Sequence, residues 1–172
     1  EYKGLLAGGR CHINRRLIEY GVNRADYAEY LLNEFERTRN TELYGIATAY
    51  ADTFVDLSIH RSDEDPDSWG AVRQRYRENL PDRVRSMRGP RFLFAMFDHT
   101  GNTAYRDTAL EIGQYLLRSF PDRFARQGGA CRELAELFAR TEEDRYRIKA
   151  TEILDAVRSS QIPDGPWYEY FE

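Results

Sequence analysis

The sequence predicts an all-α protein built from antiparallel helical hairpins, and three observations lead to this fold class. The second half of the chain repeats itself without a gap, so that Phe97 recurs 41 residues later as Phe138. Within each copy the apolar residues follow the 3.6-residue period of a helix. A repeat of about 40 residues is typical of stacked hairpins that bury their apolar faces against one another. The other matched pairs are Arg91 and Arg132, Leu93 and Leu134, Thr100 and Thr141, Tyr105 and Tyr146, Arg106 and Arg147, Ala109 and Ala150, Glu111 and Glu152, Ile112 and Ile153, and Ser119 and Ser160.

The two clearest hairpins span about residues 88–119 and 129–160. We predict helices over about 89–100 and 103–119 in the former, and over about 129–141 and 144–160 in the latter. Gly101 lies in the first tight turn, where the left-handed conformation that ends many helices favours glycine. The matched apolar and aromatic residues of the two copies are predicted to be buried at equivalent places.

Residues 23–59 are predicted to form a first, diverged hairpin, with helices over about 23–38 and 42–59. Its Phe35, Thr38 and Tyr44 are taken to correspond to Phe97, Thr100 and Tyr105. The offset to the next copy is about 20 residues longer than 41, so an extra segment separates the two.

The extra segment begins with an acidic loop over residues 60–67. Pro66 stops any helix through this loop, and Asp67 or Ser68 is suited to cap a helix that follows it. Near the start of the chain, Ile13, Leu17 and Ile18 predict a short helix ending at Gly21.

Composition fits a single domain of 172 residues with 41% apolar residues, enough to bury a core. Lys and Arg number 25 against 29 Asp and Glu, and the signs are mixed along the chain. This balance argues against nucleic acid or an anionic membrane as a partner. Cys11 and Cys131 lack the spacing of a zinc site, so no metal or cofactor is predicted. The chain opens at Glu1 without a signal-like segment, so we expect a piece of a longer protein and predict no compartment.

Three motifs resemble a known group of helical-repeat proteins. The turn Thr100-Gly101-Asn102 followed by Ala104-Tyr105-Arg106, and the ending of the last hairpin in Gln161-x-x-x-Gly165-x-Trp167, resemble the repeats of (α/α) toroids. The second spacing is similar to the QW-type element of toroid cyclases. Arg88-Gly89-Pro90-Arg91-Phe92 resembles the Arg-Gly-rich helix starts of six-hairpin glycan-degrading enzymes such as unsaturated glucuronyl hydrolases. The resemblance implies that residues 1–172 are a single hairpin-repeat domain forming part of a larger ring.

In such rings the substrate lies at the end where helix starts and long connections converge. The resemblance therefore implies an oligosaccharide ligand, bound by arginine forks that suit a uronate carboxylate and by aromatic faces that stack on sugars. The predicted substrate-binding residues are Arg88, Arg91, Arg126, Gln127, Trp167 and Tyr168. Two alternatives stay open. Arg91 and Arg132 could each form a structural ion pair that recurs with the repeat, and Trp167 could pack against the end of the ring.

The acidic loop supplies the predicted catalytic residues His60, Asp63 and Asp65. Glycoside hydrolysis uses two carboxyl groups, and a lyase needs a base that abstracts a proton. A solvated acidic turn is the alternative for this loop.

Three functions are compatible with these patterns. The first is a glycan-binding or glycan-degrading toroid domain acting on acidic oligosaccharides. The second is a non-catalytic interaction or scaffold module whose open flank is covered by self-association or a companion domain. The third is a terpenoid-cyclase-like ring, against which the polar, Arg-rich helix starts argue.

Overall fold

The computed structural model describes residues 11–14, 17–21, 25–73, 75–77, 85–86, 89–118 and 127–159, and this part is predominantly helical. Its helices pair into three antiparallel hairpins, which confirms the predicted all-α class. The boundaries predicted for the six hairpin helices agree with the structure to within two residues. The helices are α1 (Ala25–Thr38), α2 (Thr41–Leu57), α3 (Pro90–Thr100), α4 (Thr103–Arg118), α5 (Gln127–Thr141) and α6 (Asp144–Ser159).

The three hairpins stack side by side in two layers. The first helices α1, α3 and α5 are neighbours in one layer, and the second helices α2, α4 and α6 are neighbours in the other. The end of the stack where the first helices begin is termed the connection end, and the opposite end is termed the turn end. The largest side chains of the shared core are Tyr50, Phe54, Phe92, Leu93, Met96, Ile112, Leu134, Leu137, Tyr146 and Ile153.

The same turn closes every hairpin. In the second hairpin, the hydroxyl of Thr100 donates to the carbonyl of Met96 (2.7 Å), and the N–H of Gly101 donates to the carbonyl of Phe97 (2.7 Å). The residue after the threonine is left-handed each time, with φ of 60° at Arg39, 68° at Gly101 and 58° at Glu142. Equivalent bonds are made by Thr38 and Arg39 in the first hairpin and by Thr141 and Glu142 in the third.

A tyrosine on each later hairpin reaches the hairpin before it. The hydroxyl of Tyr105 donates to the carboxylate of Asp52 on α2 (2.6 Å). The amide of Gln114 on α4 donates to the hydroxyl of Tyr146 on α6 (3.3 Å). Because α2 begins 62 residues before α4, Asp52 and Gln114 occupy the same position in successive hairpins. The stack therefore repeats its polar contacts as well as its core.

Basic side chains at the turn end bind acids of the preceding hairpin. The ring of His99 lies 3.0 Å from the carboxylate of Glu36, and the guanidinium of Arg140 binds both carboxylate oxygens of Asp98 (2.9 and 2.5 Å). His99 is thus a helix-end residue that connects its hairpin to the preceding one. These pairs join the turn ends of successive hairpins.

The predicted match of Tyr44 with Tyr105 is wrong by one residue. The helix starts at Thr41 and Thr103 place Tyr44 at the position of Arg106. Both side chains pack on the turn phenylalanine of their own hairpin: Tyr44 lies 4.9 Å from Phe35 between ring centroids, and the guanidinium of Arg106 lies 5.5 Å from the ring centroid of Phe97. An aromatic ring in the first hairpin thus replaces the arginine of the other two.

Burial of the repeated residues is confirmed for most of them. Tyr105 and Tyr146, Ile112 and Ile153, and Ala109 are buried. The predicted burial is only partial for Phe97, Phe138 and Ala150, which pack against the edge of the core.

The helices predicted before Gly21 and after Ser68 are wrong, because both segments form short strands. Strands β1 (Cys11–Asn14) and β2 (Leu17–Gly21) pair antiparallel, and β2 also pairs with β4 (Arg75–Arg77). Strands β3 (Val72–Arg73) and β5 (Arg85–Ser86) form a second small sheet. Strand β4 comes from the segment inserted between the first two hairpins, so the sheet ties the start of the chain to that insertion.

Candidate functional site

The acidic loop lies at the connection end, and its two ends are hydrogen-bonded to each other. Ile59 forms a bridge with Val72, the N–H of His60 donates to the carbonyl of Ala71 (2.9 Å), and the N–H of Gly70 donates back to the carbonyl of His60 (2.9 Å). The loop therefore leaves and rejoins the body at adjacent points, as compact surface loops do.

Arg61 fastens this loop to the helices. Its guanidinium donates to both carboxylate oxygens of Glu111 on α4 (2.8 to 3.0 Å) and to the carbonyl of Val55 (2.9 Å). Gly70 has a φ of 83°, and a Cβ there would lie 2.5 Å from the carbonyl oxygen of Glu111, so only glycine fits. The loop thus keeps a fixed position beside α4.

The predicted catalytic residues lie in this fixed loop. The imidazole Nε2 of His60 is 3.8 Å from a carboxylate oxygen of Asp65, and the histidine is the less exposed of the two. Asp63 is exposed to solvent. His60 and Asp65 are therefore brought together while Asp63 faces water, and their catalytic role stays a prediction.

Two arginines from different hairpins converge on one carboxylate at the connection end. The guanidinium of Arg91 lies 2.5 Å from Oε1 of Glu29, and that of Arg132 lies 3.2 Å from the same oxygen. The side chain of Glu29 is 18% exposed, against 38% for Arg91 and 55% for Arg132. The carboxylate therefore lies deeper than the guanidiniums that cover it. These three residues are termed the arginine clamp.

The clamp is a product of the repeat. The helix starts of α2, α4 and α6 set offsets of 62 and 41 residues, which place Glu29, Arg91 and Arg132 at the same position of the three first helices. Stacking puts equivalent positions beside one another, so an acid and two bases at this position meet. Two positive charges and one negative charge leave the clamp with a net charge of about +1.

A buried acid, Glu133, lies next to the clamp. Helix α3 begins after Gly89, which has no side chain with which to cap it, and the carboxyl of Glu133 accepts a hydrogen bond from the backbone N–H of Arg91 (2.9 Å). Glu133 is 7% exposed. The third hairpin thus caps the first helix of the second.

Burial raises the pKa of Glu133 to about 8. The hydrogen bond with the backbone of Gly89 and the positive charge of Arg132 oppose this rise in pKa, while the negative charges of Glu29 and Glu136 add to it. The raised pKa favours the protonated form of Glu133, which adds no negative charge beside the clamp.

Only some of the remaining predicted site residues are among those that the structure describes. Arg91 and Arg132 both pair with Glu29, and their role in ligand binding stays a prediction beside the structural alternative. The backbone of Gln127 begins α5, but its side chain lies outside what the structure describes. The predicted ligand-binding residues Arg88, Arg126, Trp167 and Tyr168 also lie outside the described residues.

Sequence reasoning missed Glu29 and Glu133, although the repeat held a signal for both. Glu133 stands 41 residues after Phe92, a buried core residue, so its register predicts an interior carboxyl. Glu29 stands 62 residues before Arg91, the offset of the first hairpin. Pairing Arg91 with Arg132 alone left out the acid that both contact.

Within the described ranges, no three His, Cys, Asp or Glu side chains gather so that they could hold a metal ion. No helix in those ranges is both long and apolar enough to cross a membrane. Comparison with known proteins gave no match to any family model, curated protein or solved structure.

Proposed function

We propose that this chain is part of an (α/α) toroid that binds an acidic oligosaccharide through the arginine clamp at the connection end. The observation that carries the proposal is the convergence of Arg91 and Arg132 on Glu29, with both guanidiniums more exposed than the carboxylate. The net positive charge of the group favours an anionic ligand.

The chemistry of guanidinium supports a carboxylate as the ligand group. Each arginine uses one terminal nitrogen on Glu29, and among the described residues the other N–H groups of the two guanidiniums have no partner. A guanidinium presents five N–H groups in a rigid fork and binds a carboxylate through two of them at once. The clamp therefore retains donors for the carboxylate of a uronic acid while Glu29 holds the arginines in place.

An exposed tryptophan, Trp69, at the same end of the stack as the clamp supports a sugar ligand. The loop that carries Trp69 is fixed to α4, since the guanidinium of Arg118 donates to the carbonyl of Trp69 (2.7 Å), and the indole is partly exposed. Exposed aromatic faces are suited to stacking on sugar rings, and the second helices end where the first helices begin. The loop and the clamp therefore belong to the same end of the stack.

Titration calorimetry with trigalacturonate tests the proposal, with the neutral trisaccharide cellotriose as the control ligand. We expect trigalacturonate to bind and cellotriose to bind far more weakly. Arg132→Gln should weaken trigalacturonate binding by about tenfold, because a bidentate charged contact is lost. Arg37→Gln is the matched control, since Arg37 is also an exposed arginine paired with a glutamate but lies near the turn end. Equal binding of the two trisaccharides, or equal loss with both variants, would contradict the proposal.

Cleavage of the bound glycan is proposed through His60 and Asp65. The fixed loop that carries both residues supports this proposal, because it holds an imidazole and a carboxylate 3.8 Å apart, and such groups can act as base and acid. Hydrolysis releases new reducing ends, and a lyase leaves an unsaturated sugar that absorbs in the ultraviolet. Asp65→Asn should abolish either product while trigalacturonate still binds. Binding without any product from the unaltered chain would restrict the function to recognition.

A helical-repeat interaction module is the second candidate, and one residue favours it. Leu154 on α6 stands 41 residues after Gly113 on α4. Gly113 lies against Leu137 and the hydroxyl of Tyr146 in the next hairpin. Leu154 is 45% exposed, so a stacking position of the third hairpin carries an uncovered leucine. A further hairpin supplied by a second copy of the chain would cover it. Sedimentation that is independent of concentration, and unchanged by Leu154→Asp, would argue against this candidate.

A further inference from the structure

We propose that Glu133 is a proton switch for the arginine clamp, whose protonated form leaves the clamp positive for an anionic ligand and whose ionised form cancels that charge. This inference rests on the proposed function and adds its regulation by pH.

The geometry places Glu133 in contact with the clamp. It follows Arg132 directly in α5, and its carboxyl accepts the backbone N–H of Arg91 at 2.9 Å. Because Glu133 is 7% exposed, water screens its charge poorly, and a change in that charge is felt by the neighbouring guanidiniums. Glu133 thus contacts the backbone of Arg91 and is the sequence neighbour of Arg132.

The charged surroundings of Glu133 come from three helices. Helix α1 contributes Glu29, and the start of α3 contributes the backbone of Gly89. Helix α5 itself contributes Arg132 and Glu136. In the part of the chain that the structure describes, α4 and α6 place no charged group that shifts the pKa of Glu133. Burial outweighs the rest, so that the pKa of Glu133 is raised to about 8 and the proton leaves in mildly alkaline solution.

Thermodynamic linkage makes the switch reciprocal. An anion at the clamp opposes ionisation of Glu133, so that binding near pH 8 should be accompanied by proton uptake. Well below that pH the carboxyl is already protonated, and binding should take up no proton.

Calorimetry of trigalacturonate binding at pH 6.5 and pH 9 tests the switch, because the carboxylates of this ligand are ionised at both values. We expect the affinity of the unaltered chain to fall by about fivefold at pH 9. Glu133→Gln should remove this fall, and Glu136→Gln, which changes an acid one turn later on the same helix, should retain it. The same fall in Glu133→Gln, or equal affinity of the unaltered chain at both pH values, would overturn the switch while leaving the proposed function standing. Absence of binding at either pH would remove both.

Carbon NMR of the Glu133 side-chain carboxyl provides a second measurement on the unaltered chain, which does not depend on a variant that folds. Its titration midpoint should rise when trigalacturonate is present at saturation. A midpoint that stays in place with the ligand bound would overturn the inference.

Discussion

Glu133 of the third hairpin accepts a hydrogen bond from the backbone N–H of Arg91, at the first turn of the second hairpin's first helix. A helix whose own N-cap residue is glycine is thereby capped by its neighbour in the stack. The bond couples the helix start to the burial of an acid, and stability should depend on pH as a result.

The free energy of unfolding should decrease as pH rises from 5 to 9. The folded-state pKa of Glu133, about 8, lies above its ordinary value of 4.5, so the stability that the protonated acid contributes is full below about pH 4.5 and is lost as pH rises through 8. The loss should be on the order of 4 kcal/mol. Urea unfolding at several pH values measures it, and Glu133→Gln should flatten the profile. A profile that is already flat in the unaltered chain would contradict the raised pKa.

Tyr105→Phe should lower the free energy of unfolding by about 1–2 kcal/mol, because it removes a hydrogen bond to the carboxylate of Asp52. Tyr146→Phe removes the equivalent bond with Gln114, which is longer and involves a neutral amide, and should cost about half as much. The two variants are matched by the repeat and by their burial. A larger loss for Tyr146→Phe would mean that the two contacts are not equivalent.

Glycine at the left-handed position of a turn should stabilise the third hairpin. Glu142 has a φ of 58°, so Glu142→Gly should raise the free energy of unfolding by about 0.5–1 kcal/mol. Gly101→Ala should lower it by about 1 kcal/mol through backbone strain alone, because no atom lies within 4 Å of the added Cβ. Thermal unfolding followed by circular dichroism checks both, and a gain for Gly101→Ala would contradict the assigned turn.

Gly113→Ala and Gly45→Ala should change stability in opposite directions. A Cβ at Gly113 would meet the side chain of Leu137 at 2.9 Å and the hydroxyl of Tyr146 at 3.1 Å, at the contact between the second and third hairpins. Overpacking there should cost about 1–3 kcal/mol. Gly45 has open space and lies inside α2, so its substitution should gain about 0.5–1 kcal/mol. Equal effects at the two glycines would show that the hairpin contact is looser than described.

The repeat made the helices and turns predictable because each copy carries its own stop signal. Thr100 and Thr141 mark the same helix end, and the structure ends both helices there. The strands around Ile13 and Leu17 were not predictable, because a few apolar residues fit both a helix and a strand period. Glu133 was missed because acids in an amphipathic helix are expected on the wet face, and only the alignment with Phe92 marks its position as interior.

The clamp is the central claim, and proton–nitrogen NMR of the arginine Nε–H groups during titration with trigalacturonate tests it most directly. The signals of Arg91 and Arg132 should shift together and saturate at the same ligand concentration, while the signal of Arg37, near the turn end, should stay in place. If trigalacturonate shifts neither clamp signal, or shifts only arginines at the turn end, the clamp is a structural ion pair and the account is wrong.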